Sequence, residues 1–150
     1  MLFLILTIII INLISIFTPK RLSGIEILTT SLFAICLQQM VDNFLDFKYN
    51  LYGYFEKGVQ WKYMLFVLGI YPAVNILFLN FFPNNKIFYK TLVYVMEWCV
   101  FSIIFERLFL WSGTFYYSGW KTWYSAVIYP FLFIVLRLFH KFVLLKLKTY

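Results

Sequence analysis

Five apolar runs organise the chain, residues 2–17, 25–47, 61–82, 88–111 and 122–144, separated by short polar stretches that carry lysine, glycine, proline and asparagine. At about 1.5 Å of helical rise per residue, against a hydrocarbon core of about 30 Å, the last four runs are long enough to cross a bilayer and the first is slightly short. Backbone groups in hydrocarbon have no water to bond, so a spanning segment must satisfy them internally, as a helix does. The pattern predicts an all-α fold: a polytopic transmembrane helix bundle of five spans, forming one membrane domain over residues 1–150. The connections are too short to hold a second domain.

Composition agrees, since 63% of the residues are hydrophobic, 24% are aromatic and only 13% are charged, far from the balance of a soluble domain. The net charge of +7 would suggest nucleic acid in a soluble protein. Here the positions of the charges point to lipid instead. If the spans alternate, Lys20, Arg21, Lys86, Lys90, Arg137, Lys141, Lys146 and Lys148 share one face, against Lys48, Lys57, Lys62, Arg107 and Lys121 on the other. The positive-inside rule then predicts an outside N-terminus and a cytoplasmic C-terminus in a bacterial cytoplasmic membrane. The basic tail is expected to leave the membrane as a helix end whose long side chains reach anionic headgroups, with the bilayer and no nucleic acid as its partner. The first run lacks the basic start and small-residue cleavage pattern of a signal peptide, so it is expected to be retained. Cys36 and Cys99 fall near mid-span, where cysteine behaves as a small apolar residue, and no disulfide between them is expected.

Spans two and three, and again four and five, read as hairpins that start inside, turn outside and return. Each first helix carries acid near its outer end, Asp42 and Asp46 in one and Glu106 in the other. Each outer loop is aromatic and contains glycine, from Tyr52 to Gly58 and from Gly113 to Gly119. Each return helix opens with tryptophan (Trp61; Trp120 and Trp123) and carries Ile-Tyr-Pro, at residues 70–72 and 128–130. Two hairpins of like orientation would form a parallel repeat about an axis along the membrane normal, with the first helix added to a four-helix core. Interfacial aromatic belts and membrane prolines arising independently explain the same pattern. Pro72 and Pro130 each free a carbonyl, either in a packing kink or in a cavity wall beside Tyr71 and Tyr129.

The chemistry must come from the few polar residues. Gln38, Asp42, Asp46 and Tyr49 are spaced to share one helix face, with Gln39 and Asn43 on the strip beside it. Such a stripe either points into the bundle or lies in the outer headgroup layer, and an acid within hydrocarbon requires a partner or water. Arg107, Lys48 and Lys121 are the nearest basic candidates by depth. Glu97, the deepest acid, can relay a proton, hold a cation, or sit neutral against Asn75, Gln38 or a tyrosine. Nine residues of helix place it on the face opposite Glu106. An outer charge network would pair Glu106 with Lys121 or Lys62, and Arg107 with Asp42 or Asp46. The aromatic rim of such a site would come from Tyr116, Tyr117, Trp120 and Trp123. His140 alone, without nearby acids in the sequence, does not suggest a metal site. No phosphate-binding glycine loop or cysteine-histidine cluster is present, and no cofactor or resident metal is expected.

From Leu37 onward the chain resembles an uncharacterised family of small multi-span membrane proteins of low-GC, often spore-forming bacteria. The stretches that carry the resemblance run from Val41 to Tyr49, Tyr54 to Val59, Ile70 to Asn80, and Phe105 through the aromatic loop and its tryptophans to Pro130. The resemblance covers about three quarters of the chain and implies a membrane protein in a bacterial setting, with no reaction attached. The expected function is non-enzymatic: a polar, aromatic-rimmed site in the outer half, formed by the residues above, that binds a small solute, an ion, a lipid headgroup or a partner protein. A conducting role in so small a bundle would require a homo-oligomer. The alternative is a membrane-embedded enzyme acting on a lipid or polyprenyl phosphate, with Asp42, Asp46 and Glu106 as metal-binding or acid-base groups.

Overall fold

The computed structural model of the chain describes residues 1–55, 61–83 and 88–148. Glu56, Lys57 and Gly58 of the first aromatic loop, and Lys86 of the inner charge set, lie outside the described residues. In chain order the elements are α1 (Leu2–Phe17), α2 (Gly24–Asp42) continuing into a π-helical segment (Asn43–Lys48), β1 (Tyr52–Tyr54), α3 (Tyr63–Gly69), α4 (Tyr71–Asn80), α5 (Phe88–Trp111), β2 (Phe115–Tyr117) and α6 (Thr122–Lys148). Three helical stretches, Gly24–Lys48, Tyr63–Asn80 and Thr122–Lys148, are long and apolar enough to cross a membrane, and Leu2–Phe17 is a shorter apolar helix.

Local chemistry explains the boundaries. Ser23 opens α2 with a reciprocal cap: its hydroxyl accepts from the Glu26 backbone N–H at 3.3 Å, and the Glu26 carboxylate accepts from the Ser23 N–H at 3.2 Å. The third run, expected as one helix over 61–82, is instead two. Pro72 has no N–H to donate and its ring crowds the preceding turn, so the rod breaks at Ile70 and α4 restarts with the proline in its first turn. The break exposes the Gly69 carbonyl, and Asn12 of α1 caps it with its side-chain amide at 2.7 Å. A neighbouring helix thus satisfies a carbonyl next to the one that the proline frees, at the point where the helix breaks. Gly69 also lets α1 approach, because a Cβ there would lie 3.0 Å from Ile8. Helix α1 is therefore bound into the bundle at the kink. Pro130, by contrast, sits inside α6 without interrupting it.

Helix α4 is the central rod, packed against α1 and α2. Ala73, Asn75, Leu77, Phe78, Leu79 and Asn80 are all buried in it. Helix α6 packs against α2 and α5. Tyr52, Tyr54, Tyr63, Phe66, Ile70 and Phe109 form an aromatic core cluster at one end. Phe78, Leu79, Phe82, Val95, Phe133 and Leu136 form a second toward the other. The two aromatic loops, read from the sequence only as aromatic and glycine-bearing, pair with each other in a two-stranded antiparallel ribbon with Gly53 opposite Tyr116. The ribbon closes the end of the bundle that holds Asp42 and Glu106.

Candidate functional site

Two buried carboxyl groups, Asp42 and Glu106, each held by neutral hydroxyl donors and by no basic side chain among the described residues, define the site. Asp42 is fully buried. It accepts from Tyr52 at 2.6 Å, Tyr63 at 2.6 Å, Tyr54 at 3.3 Å and the Gln38 amide at 3.0 Å. Glu106 accepts from Ser125 at 2.8 Å and from the hydroxyls of Tyr117 and Tyr129. Trp120 donates its indole N–H to Ser125 at 2.8 Å, backing that cage from behind. Each acid thus draws donors from its own outer strand and its own return helix: Tyr52, Tyr54 and Tyr63 for one, Tyr117, Ser125 and Tyr129 for the other. Bonds of this kind offset the large cost of holding a carboxylate away from water.

In the outer strands, burial first and the neighbouring carboxylate second push the Tyr52 and Tyr54 phenols well above their ordinary range. Burial and the bond to Glu106 push Tyr117 up to about 12. These tyrosines are therefore neutral donors at any physiological pH, which is what both carboxylates require.

Between the cages lies a cavity of about 200 Å³. Phe66, Phe105, Phe109 and Phe133 supply apolar wall, while Gln38, Tyr54, Tyr71, Asn75, Glu106 and Tyr129 supply polar groups. Tyr71 bonds Tyr54 hydroxyl to hydroxyl at 2.9 Å, so Asp42 is linked to the cavity through Tyr54 and Tyr71. Asn75 is 1% exposed, and its side-chain oxygen has no hydrogen-bond partner. A buried orphan acceptor is rare and costly.

The predicted polar residues divide. Gln38, Asp42, Asn75, Glu106, Tyr117 and Trp120 come together as described. Asp46 does not share the stripe: the π-helical winding after Asp42 turns the chain off the α-helical phase, leaving Asp46 half-buried and Tyr49 exposed, and no hydrogen bond or ion pair reaches the Asp46 carboxyl among the described residues. Glu97 faces outward from α5, and Asn75 bonds Thr30 and Ser31 of α2, each at 3.1 Å, not Glu97. The expected charge network does not form. Arg107 is exposed and donates to Thr122 at 3.3 Å, while Glu106 bonds hydroxyls and not Lys121 or Lys62. Tyr116 lays its ring over Gly53, and Trp123 is exposed against Tyr124. Tyr71 and Tyr129 line the cavity as the sharper reading of the Ile-Tyr-Pro triplets anticipated, although Leu68 and Ala126, whose carbonyls the prolines free, do not.

At the opposite end, His140 has the acidic neighbour that its own stretch of sequence lacks. Its Nε2 lies 2.7 Å from Glu26, and Arg137 donates to Nδ1 at 2.7 Å. A guanidinium only donates, so Nδ1 is the acceptor and Nε2 carries the hydrogen aimed at Glu26. His140 in that tautomer is neutral, and its contact with Glu26 is a hydrogen bond to a carboxyl. The sequence signal for it was the capping position of Glu26, which also fixes that residue's depth at the start of α2.

Comparison of the chain with known proteins finds no matching family, no matching curated protein and no matching solved structure.

Proposed function

We propose that the chain is an integral membrane protein of five spans, with its N-terminus outside and its C-terminus cytoplasmic in a bacterial membrane, belonging to the family it resembles and acting as a non-enzymatic receptor or carrier for a small ligand. The ligand occupies the cavity between Asp42 and Glu106. The observation that carries this reading is Glu106, a carboxyl held by neutral hydroxyl donors at the wall of an aromatic-lined cavity, with Asp42 linked to the same cavity through Tyr54 and Tyr71. A purely structural core gains little from an acid placed at a cavity wall, since taking a carboxylate away from water costs more than burying an apolar residue of similar shape.

Support for a parallel repeat is the matched construction of the cages, each taking donors from its own strand and return helix. The enzyme alternative needs acidic groups that converge on one ligand, and here Asp46 is absent from the cavity lining while Asp42 and Glu106 sit in separate cages. Support for the five-span topology is the length of α5, 24 residues, beside the three stretches already named and the shorter α1.

Native mass spectrometry of the protein released from lipid nanodiscs tests the reading. The wild type is expected to carry a discrete non-lipid mass that an Asp42→Asn, Glu106→Gln variant loses. A spectrum with no specific added mass, identical in the two proteins, would overturn it.

A further inference from the structure

The direction of every hydrogen bond around the cavity identifies the chemical class of its occupant. Thr30 commits its hydroxyl hydrogen to the Glu26 carbonyl at 2.7 Å, so toward Asn75 it can only accept. The Asn75 amide nitrogen must therefore face Thr30 and Ser31, and the carbonyl oxygen, an acceptor, is the atom left without a partner. The same bookkeeping applies around the wall. Tyr129 donates to Glu106, Ser102 to the Trp98 carbonyl and Thr7 to the Phe3 carbonyl. We assign the Tyr54 hydrogen to the Asp42 carboxylate, which leaves Tyr71 donating to Tyr54. The hydroxyl hydrogens of the wall are then all spent; the Gln38 amide keeps one N–H beyond the bond it gives Asp42, and the other polar atoms that remain are lone pairs and carboxylate oxygen.

Charge agrees with direction. Among the described residues, Asp42 and Glu106 are caged by neutral groups, and Lys48, Lys62, Arg107 and Lys121 are all exposed. A wall made mostly of acceptors, with a carboxyl that meets no basic side chain among the described residues, disfavours anions. It suits a group that only donates and carries positive charge. The faces of the surrounding aromatic rings add cation-π attraction and exclude water. The volume sets the body: an engineered apolar cavity of about 150 Å³ takes benzene, so about 200 Å³ takes one ring or a short branched chain with a small head.

From the acceptor-rich wall and from Glu106, caged by neutral donors at that wall, we infer that the cavity binds a small primary ammonium with an apolar body, its head held at Glu106. The inference rests on the ligand-binding reading above and specifies it.

Three probes of equal shape test it: phenethylammonium, neutral 2-phenylethanol and anionic phenylacetate, titrated against the wild-type protein in nanodiscs by equilibrium dialysis, with empty nanodiscs subtracted. Phenethylammonium is expected to bind saturably, at least tenfold more tightly than either of the others, and to lose at least tenfold in Glu106→Gln. Equal binding of 2-phenylethanol would overturn the ammonium assignment while leaving a ligand cavity in place. Saturable binding of none of the three would overturn the assignment and the cavity reading together. The comparison among probes needs no variant, so it holds even if Glu106→Gln folds poorly.

Discussion

Asp42 shows at the scale of one residue how a membrane interior keeps a carboxylate without a cation. Three phenol hydroxyls and one amide converge on it, two of the phenols at 2.6 Å. Removing the acceptor leaves the donors stranded, and each unsatisfied buried group costs about 1–3 kcal/mol. Asp42→Ala is therefore expected to destabilise the protein by about 3 kcal/mol or more, whereas Tyr52→Phe, which removes one donor of four, costs about 1 kcal/mol. Thermal unfolding in bicelles measures both, and equal losses would show that the cage is not cooperative. The importance of Asp42 and Glu106 was legible in the sequence, because an acid inside an apolar run demands a partner. Their partners were not. Tyr52, Tyr63, Ser125 and Tyr129 come from different elements with no shared period, and an abundance of tyrosine at membrane interfaces hides the few that turn inward.

Among elements, the ribbon does what no helix could. Strands β1 and β2 bring Tyr52, Tyr54 and Tyr117 over the two acids from above, and the Tyr116 ring covers Gly53, where a Cβ would collide with it. Each loop was recognisable as aromatic and glycine-bearing, yet their pairing depends on a contact across 63 residues that local pattern does not encode. The π-helical segment had the same effect on Asp46: regular α-helical spacing put it beside Asp42, and one wider turn took it away. Tyr117 provides a pH test of the ribbon. Burial and the bond to Glu106 push its phenol up to about 12, above its ordinary 10.0, so its contribution to stability is complete below pH 10 and is lost as pH rises from 10 toward 12. Alkaline unfolding should begin at higher pH relative to the neutral-pH baseline in Tyr117→Phe than in the wild type. An unchanged profile would detach Tyr117 from Glu106.

For the whole molecule, the polar groups sort to two ends with different tasks. One end holds acceptors around a cavity. The other is stitched: Asn80 accepts from the Arg21 N–H at 2.6 Å and donates to the Pro19 carbonyl at 3.0 Å, while His140 ties α6 to Glu26 at the start of α2. His140→Ala removes one donor to Glu26, which keeps those from Ser23, and is expected to cost about 1.5–3 kcal/mol, against almost nothing for the exposed neighbour Lys141→Ala. Similar losses from the two would remove the His140 link from the account. The helices, three of them long and apolar enough to cross a membrane, were legible in the apolar runs. The link from Glu26 to His140 was not, because 114 residues separate the pair and no charge pattern connects them.

The account turns on whether small cations reach the cavity beside Glu106, and one measurement asks that directly. Ser102 lines the cavity and bonds only its own helix, so Ser102→Cys, in a background with Cys36 and Cys99 replaced, places a thiol there with little disturbance. Reaction rates with aminoethyl and sulfonatoethyl methanethiosulfonate, added from the outside, report access and charge preference at once. The account predicts modification by the cationic reagent at least tenfold faster than by the anionic one. Equal rates, or no reaction with either reagent, would contradict it.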